Sequence, residues 1–275
     1  MKNVSRQIVR NQQEGMSMEK KHIVFVGAGP GDPELITVKG MKALETADLV
    51  IYAGSLVPEA VLSWTRPSAE TINSASLHLE EIVALMEKAY HEQKSVVRLH
   101  TGDPSLYGAI LEQMVELEAR NIPYRVIPGV TAAFAAAASM GLEYTLPEIC
   151  QTLILTRMEG RTPVPESENF ESLARHQASM AIYLSISLID KVQEILVRCY
   201  GEGALCAVAF RVSQPEEQIY FSEVGDLAAL VREKNITHQA LVIVGKTLSA
   251  LKQGIRYKSK LYDKGFSHGY REQQA

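Results

Sequence analysis

The sequence predicts an α/β protein of two α/β domains, the first with a mainly parallel sheet and the second with a mixed sheet. Apolar runs of strand length alternate with longer amphipathic segments along most of the 275 residues, a pattern typical of sheets covered by helices. The pattern breaks at GLEYTLPEIC (141–150), which contains Gly and Pro and mixes polar with apolar residues. Beyond it, two strand-like runs follow each other closely, which indicates a hairpin and therefore antiparallel pairing in the second sheet.

The first predicted domain covers residues 22–140 and follows an N-terminal extension, 1–21, that we expect to be flexible. Its strands are predicted at 22–27, 47–53, 95–100 and 124–128, and its helices at 34–46, 78–92 and 105–119. Alternation of this kind implies parallel strands, whose carboxyl ends share one edge of the sheet. Open sheets bind ligands at that edge.

The second predicted domain covers residues 141–250 and precedes a basic tail, 251–275. Its strands are predicted at 151–156, 180–184, 205–211, 218–223 and 240–245. The polar segment 157–168 contains Gly and Pro and is predicted to be a long loop. Such a loop either covers a ligand or simply lies at the surface.

Composition and charge limit the class of function. Hydrophobic residues make up 46% of the chain, and no apolar run approaches the roughly 18 residues of a membrane helix, so we expect no membrane association. The three cysteines form no C-x-x-C pair, which argues against a zinc site and fits the reducing cytoplasm. The two termini carry +3 and +4, which leaves about −11 for residues 22–251 and argues against a nucleic-acid partner.

The loop VGAGPGDPELIT (26–37), with Gly29 at its centre, follows the first strand and resembles a phosphate site only superficially. A dinucleotide loop requires a third Gly where this chain has Asp32, and a P-loop requires Gly-Lys-Ser/Thr instead of an acidic run. Pro30 and Pro33 also remove backbone donors. The loop therefore indicates a ligand that is neutral or positively charged.

Two further loops repeat this chemistry after later strands. In LHTGDPSLYG (99–108), Asp103 can accept hydrogen bonds from the two hydroxyls of a ribose, or it can cap the next helix. The loop IPGVTAAFAAAASMG (127–141) turns and continues into an alanine-rich helix that Thr131 is predicted to cap. An adenine can lie against this turn, whereas the alanines beyond Ala133 are better explained by packing on the sheet. Glycine and carboxylates without lysine together favour S-adenosylmethionine as the ligand.

Four segments, VGAGPGDPELITVKG, ADLVIYAGSLV, RLHTGDPSLYGA and VIPGVTAAFAAA, resemble in order and spacing the successive motifs of the tetrapyrrole (corrin/porphyrin) methyltransferase family. The likeness covers about residues 22–250. YAGSLV, the tyrosine of LYGA and LTRMEGRTPVPE further resemble the branch that methylates C11 of precorrin-4 in cobalamin synthesis. The resemblance implies the tetrapyrrole methylase fold, S-adenosylmethionine as cofactor, a corrinoid substrate, a homodimer, and a ligand cleft between the two domains.

The resemblance also implies roles for individual residues. The residues expected to bind the cofactor are Gly29, Pro30, Thr101, Gly102, Asp103, Leu106, Thr131, Ala132, Leu184, Arg211 and Val212. Tyr52 and Tyr107 are expected to bind the substrate. Arg157 and Arg161 of the long loop either meet the substrate's carboxylates or are solvated charges. Some relatives that make sirohaem carry an Asp where this chain has Ala53, so a carboxylate base is absent at that point.

Methyl transfer from a sulfonium requires positioning rather than a nucleophilic residue. We therefore assign no catalytic residue, although His100 and Glu143 can donate or accept protons, and we expect no metal site. One alternative is a methyltransferase of the same fold that acts on another corrin position, a sirohaem precursor, RNA or protein. A second alternative is a non-catalytic sensor of S-adenosylmethionine or a nucleotide. The acidic body argues against RNA, and the sequence contains no effector segment that would favour a sensor.

Overall fold

The computed structural model describes residues 22–253, 259, 265–267 and 269–270. The chain divides into two compact units between Ala132 and Ala133, here called the N-terminal and C-terminal domains. The predicted division at residue 140 differs from this one by a single helix. The N-terminal extension, 1–21, lies outside the described residues, as does most of the basic tail.

The N-terminal domain contains a five-stranded sheet in the order β3-β2-β4-β1-β5. The strands are β1 (Ile23–Gly27), β2 (Leu49–Tyr52), β3 (Glu70–Asn73), β4 (Val96–His100) and β5 (Tyr124–Ile127). All four pairings are parallel, as predicted, so the loops that follow the strands start from the same edge. The helices are α1 (Val38–Glu45), α2 (Leu79–His91) and α3 (Leu111–Ala119), with 3₁₀-helices at Pro33–Leu35 and Glu59–Trp64.

Both faces of this sheet are apolar, because alternate residues of each strand point to opposite faces. Val24 and Val26 of β1 belong to the core beside α1, whereas Ile23 and Phe25 belong to the core beneath α2. Two-sided burial explains why these strands are continuous apolar runs. Arg98 and His100 of β4 are exceptions, since they are polar yet 5% and 4% exposed.

Two predicted helices of this domain are shorter than expected. The segment 34–46 is broken after the first 3₁₀-turn, and α1 begins at Val38 because Thr37 is extended and its Oγ1 accepts the Gly40 N–H at 3.1 Å. The predicted helix 105–119 begins only at Leu111. Tyr107 and Ala109 adopt φ of 57° and 48°, which a right-handed helix cannot accommodate.

The C-terminal domain contains a mixed sheet in the order β6-β7-β10-β8-β9, which confirms the prediction. The strands are β6 (Leu153–Arg157), β7 (Ser179–Tyr183), β8 (Leu205–Phe210), β9 (Gln218–Glu223) and β10 (Ala240–Val244). β6 and β7 are parallel, and β8 and β9 form the predicted antiparallel hairpin. Because β10 runs antiparallel to both β7 and β8, the carboxyl ends of β6, β7 and β8 share one edge.

From Ala132 onward, the described residues form five α-helices: α4 (Ala132–Met140), α5 (Phe170–Ala174), α6 (Ile189–Tyr200), α7 (Leu227–Glu233) and α8 (Lys246–Gln253). Most alanines of α4 are buried, as expected from close packing, and the Tyr144 hydroxyl donates to Ala133 O at 2.7 Å. Within the described residues, no helix is long and apolar enough to cross a membrane.

Candidate functional site

Three glycines bring the loops after β1, β4 and β5 into direct backbone contact. A Cβ atom on Gly27 would lie 2.6 Å from both Gly102 O and Gly129 Cα. A Cβ atom on Gly129 would lie only 2.1 Å from Gly102 O. Since such distances are far inside van der Waals contact, no other residue fits at these two positions without moving the backbone. We call Gly27, Gly102 and Gly129 the glycine cluster.

Backbone hydrogen bonds fix the first two loops to each other. Gly102 N–H donates to Gly29 O at 2.8 Å, and Gly29 N–H donates to Gly102 O at 3.3 Å. Both residues have positive φ, 79° for Gly29 and 59° for Gly102, a conformation that favours glycine. The predicted cofactor residues Gly29 and Gly102 are therefore adjacent in space. Pro30, which follows Gly29 in sequence, is buried.

Asp103 connects the second loop to the third. Its Oδ1 accepts the Ser105 N–H at 2.8 Å, and its Oδ2 accepts the Gly129 N–H at 2.9 Å. Since α3 begins at Leu111, Asp103 does not cap that helix, and that alternative was wrong. Each oxygen retains a second lone pair, so the carboxylate can still accept from a ligand hydroxyl while it braces the loops.

The third loop lies against the second. Thr131 is buried, and its Cα is 3.7 Å from the place of a Cβ on Gly102. Ala132 follows as the first residue of α4. The segments 26–37, 99–108 and 127–132 contain no Lys or Arg. This edge therefore suits a ligand without phosphates.

A cavity of about 360 Å³ lies on the α2 and α3 face of the N-terminal domain, beside the second loop. Thr101, Leu106 and Tyr107, all expected to bind ligands, line it. Tyr107 is 44% exposed and holds the left-handed conformation described above. Non-glycine residues in that region cost free energy and concentrate at functional sites. Tyr52, the last residue of β2, is half-buried and precedes Ala53, which also lines the cavity.

The same cavity contains the buried polar residues of β4. Arg98 Nε donates to Gln113 Oε1 at 3.1 Å, and Arg98 Nη1 donates to Ile51 O at 3.2 Å. Gln113 Nε2 in turn donates to Ala109 O at 3.0 Å. This network joins β2, β4, α3 and the second loop. Burial lowers the pKa of Arg98 to about 10, so its guanidinium stays charged at neutral pH.

His100 is the other buried polar residue of this group. Its ring stacks on Phe25, with 5.9 Å between centroids, and its Nε2 is buried without a hydrogen-bond partner. Burial, together with the positive charge of Arg98, lowers the pKa of His100 to about 3. The imidazole is therefore neutral at physiological pH. Glu143, the other residue considered for proton transfer, is exposed.

In the C-terminal domain, the expected ligand residues follow the three strands whose carboxyl ends share an edge. Leu184 follows β7, is 63% exposed and has a φ of 52°. Arg211 follows β8 with a φ of 45°, and its N–H donates to Gln239 O at 3.0 Å. Val212 is buried, so only its backbone can reach a ligand at this edge.

The two arginines of the long loop differ in their surroundings. Arg157, the last residue of β6, donates from its guanidinium to Met158 O, Thr162 O and Pro163 O at 3.4, 3.1 and 2.9 Å. It therefore braces the loop from within. Arg161 is exposed. Of the two, Arg161 has the more exposed guanidinium, whereas that of Arg157 is already bonded to loop carbonyls.

Sequence reasoning missed Arg98 and Gln113. A charged residue within the apolar run VVRLH was the available signal for Arg98, whereas nothing in the sequence identifies Gln113 as its partner. Within the described part of the chain, no group of three or more His, Cys, Asp or Glu side chains is arranged to hold a metal ion.

Comparison with known proteins identifies the family. The family profile described as Tetrapyrrole (Corrin/Porphyrin) Methylases matches residues 22–228. A cobalt-precorrin-4 C(11)-methyltransferase from Methanocaldococcus jannaschii is 51% identical over 253 residues, which cover 92% of this chain and 96% of that relative.

Two solved structures extend the comparison. The crystal structure of a cobalamin biosynthetic enzyme, a cobalt-precorrin-4 methyltransferase, has a TM-score of 0.82 and 43% identity, with 85% of this chain and 99% of that chain covered. The uroporphyrin-III C-methyltransferase of Thermus thermophilus, solved with S-adenosyl homocysteine, has a TM-score of 0.67 and 25% identity, with 82% and 93% covered. The resemblance inferred from the four motifs is thereby confirmed, and the chain belongs to the family of tetrapyrrole (corrin/porphyrin) methylases.

Proposed function

We propose that the protein transfers a methyl group from S-adenosylmethionine to C11 of precorrin-4 or its cobalt complex. The observation that carries this proposal is the 51% identity, over 92% of the chain, with a relative named for that reaction. The architecture of the N-terminal edge supports the cofactor part, because the glycine cluster brings backbone to the ligand side and the three loops lack Lys and Arg.

The residues present fit this cofactor. A sulfonium is positive, and the first loop offers carboxylates instead of cations. Asp103 can accept from a ribose hydroxyl with the lone pairs that Ser105 and Gly129 leave unused. The residues proposed to hold the cofactor are Gly29, Pro30, Thr101, Gly102, Asp103, Leu106, Thr131 and Ala132 of the N-terminal domain, and Leu184, Arg211 and Val212 of the C-terminal domain.

The cofactor supplies a methyl group that is already activated by its sulfonium. The protein's part is therefore to bind and orient both reactants and to exclude water, which can account for most of a rate enhancement. No protein nucleophile is required. His100 is neutral and its Nε2 is buried, so it is a poor proton acceptor, and the proposal includes no catalytic base.

Product analysis with methyl-labelled S-adenosylmethionine tests the proposal. We expect NMR of the product to place the label on C11 after incubation with precorrin-4 or cobalt-precorrin-4. Label on another ring carbon would refute the position but leave the family assignment intact. Label found only in RNA or protein would support the alternative substrates of this fold instead. Calorimetry with S-adenosyl homocysteine, NAD and ATP tests the cofactor, and tighter binding of NAD or ATP would exclude it.

Tyr52, Tyr107, Arg157 and Arg161 are the residues proposed to contact the tetrapyrrole. The contacts of Arg157 with loop carbonyls assign it an additional bracing role, so the two arginines should differ when substituted. Arg161→Glu should raise KM for the tetrapyrrole and leave the affinity for S-adenosyl homocysteine unchanged. Arg157→Glu should also loosen the loop, which limited proteolysis detects.

The remaining expectations concern assembly and cell location. A homodimer is proposed from the family resemblance, and sedimentation of the purified protein tests it. A cytoplasmic location is proposed from the cysteine pattern. The division into residues 22–140 and 141–250, and a ligand cleft between the domains, stay predictions.

A further inference from the structure

The cavity of the N-terminal domain contains a buried cation that lacks a counter-charge. Arg98 is 5% exposed. Among the described residues, its Nε and Nη1 donate to two neutral oxygens, no Asp or Glu forms an ion pair with it, and its Nη2 donates no hydrogen bond. Taking a charge out of water is unfavourable unless an opposite charge compensates it. The site therefore has an unused donor and a net attraction for an anion.

The guanidinium is held in one orientation. Gln113 and Ile51 fix its Nε and Nη1, and Gln113 is anchored in turn to Ala109 O. A group positioned in this way binds a ligand without first losing side-chain freedom. The unused Nη2 is thus a preorganised donor.

Other features of the cavity also favour an anion with an aliphatic stem. The cavity lies at the first turn of α3, whose N-terminal end carries partial positive charge. No side chain caps α3, because its N-cap residue is Ile110. The walls include the apolar residues Leu56, Leu79, Ile82 and Leu106. Glu112 is the acidic residue of the lining, and it is exposed at the rim.

We propose that this cavity is a carboxylate subsite, in which Arg98 binds one peripheral carboxylate of the tetrapyrrole and the apolar walls contact the stem of that side chain. The inference rests on the proposed function, because the macrocycle supplies the carboxylates. The α-carboxylate of the cofactor has the same chemistry, so the test must distinguish these two sources.

Binding measurements on Arg98→Met, which keeps the bulk of the stem but removes the charge, provide this test. The probes are cobyrinic acid, a stable corrinoid polycarboxylate, its heptamethyl ester, and S-adenosyl homocysteine. We expect the variant to bind cobyrinic acid about tenfold or more weakly, which corresponds to one charge-assisted hydrogen bond. Affinity for the ester and for S-adenosyl homocysteine should not change.

Two further variants keep the proposal testable if Arg98→Met does not fold. Gln113→Glu places a carboxylate where Arg98 Nε now donates, so it should weaken binding of cobyrinic acid while Arg98 remains. Glu112→Gln removes the negative charge at the rim and should strengthen the same binding. Circular dichroism and thermal unfolding establish that each variant is folded.

Unchanged affinity for cobyrinic acid in folded Arg98→Met and Gln113→Glu would overturn the subsite. Loss of affinity for S-adenosyl homocysteine alone would overturn the substrate assignment and give the cavity to the cofactor. Failure of the wild-type protein to methylate precorrin-4 would refute the proposed function, whereas the binding comparison would still decide whether Arg98 attracts a carboxylate. The two failures are therefore distinguishable.

Discussion

The two domains present residues at the carboxyl ends of their strands in different ways. In the N-terminal domain, Gly27 and Gly129 pack backbone against backbone, at distances that leave no room for a Cβ atom. In the C-terminal domain, Leu184 and Arg211 follow their strands in the left-handed region, with φ of 52° and 45°. One edge is therefore built by removing side chains, and the other by holding side chains in a costly conformation.

This difference indicates what each edge offers to a ligand. Close backbone packing fixes three loops together and brings peptide groups to the surface. A left-handed non-glycine residue costs roughly 1–3 kcal/mol and persists where the surrounding structure imposes it, often at a functional site. The N-terminal edge thus provides a rigid backbone surface, whereas the C-terminal edge holds the individual residues Leu184 and Arg211 in fixed left-handed conformations. The N-terminal domain also contains left-handed non-glycine residues, Tyr107 and Ala109, in the lining of its cavity.

The largest expected effect is that of Gly129→Ala. Its Cβ would lie 2.1 Å from Gly102 O, and backbone cannot move aside as a flexible side chain can. We expect a loss of about 3 kcal/mol or more in the free energy of unfolding, measured in urea. Gly203→Ala is the control, because its Cβ would meet only Glu223 Oε2, at 3.9 Å. Equal stability of the two variants would contradict the close packing of the glycine cluster.

Acid should destabilise the N-terminal domain through His100. The folded pKa of about 3 lies below the ordinary 6.5, so the unfolded chain binds the proton more tightly. The stabilisation is complete above pH 6.5 and is lost as the pH falls toward 3, by about 2 kcal/mol between pH 7 and pH 5. Thermal unfolding of His100→Gln should show a shallower loss over that range. If His100→Gln and the wild type lose stability equally between pH 7 and pH 5, the lowered pKa of His100 is not the cause. In the C-terminal domain, burial raises the pKa of Cys206 to about 12, which has no effect in acid.

Asp103→Ala tests whether the loops of the N-terminal edge act together. The variant loses acceptors for the Ser105 and Gly129 N–H groups, so stability should fall by about 1–2 kcal/mol and affinity for S-adenosyl homocysteine by at least about tenfold. Asp32→Ala is a matched control from the other Gly-Asp-Pro run, since Asp32 accepts the Glu34 N–H within its own loop. Calorimetry should find a smaller loss of affinity for the control. An unaltered affinity in Asp103→Ala would limit this residue to a structural role.

The smallest expected change in stability is at Leu184. Leu184→Gly removes the side chain and also relieves the left-handed strain, whereas Leu184→Ala removes the side chain but keeps the strain. We expect the Gly variant to be more stable than the Ala variant by about 1 kcal/mol in thermal unfolding. Both should bind S-adenosyl homocysteine more weakly, because the exposed side chain is lost. If both variants retain full affinity, the C-terminal edge does not aim Leu184 at the cofactor.

Much of the fold could be predicted because the strands of both sheets are apolar runs. β1 and β4 are buried on both faces, so most of their residues are apolar and the strands can be recognised as apolar runs. β3 was missed because it is an exposed edge strand with the sequence ETIN, which has no apolar alternation. Two helix starts were also misplaced. Thr37 is extended and caps α1 locally, so α1 starts after it, and the left-handed Tyr107 and Ala109 delay the start of α3.

The loops of the candidate site could be predicted from the sequence, but the contacts between them could not. Glycine-rich loops after strands are local patterns, and they led to Gly29, Gly102 and Asp103. The partners of these groups come from distant parts of the chain, so the Asp103 to Gly129 hydrogen bond and the Arg98 to Gln113 hydrogen bond could not be deduced from spacing. The bracing role of Arg157 likewise depends on how the loop folds back on itself.

The union of three loops at the glycine cluster has a consequence for the order of folding. Gly27 ends β1, and Gly102 and Gly129 lie two residues beyond β4 and β5, so the cluster joins the first and last strands of the N-terminal domain in chain order. Contacts between residues so far apart in sequence form late, because loop closure must precede them. A chain that has not yet added β5 cannot complete the cluster, so nascent or truncated forms should not capture S-adenosyl homocysteine. Ligand capture would then require synthesis to have passed β5, and also Leu184, Arg211 and Val212 if these residues hold the cofactor as proposed.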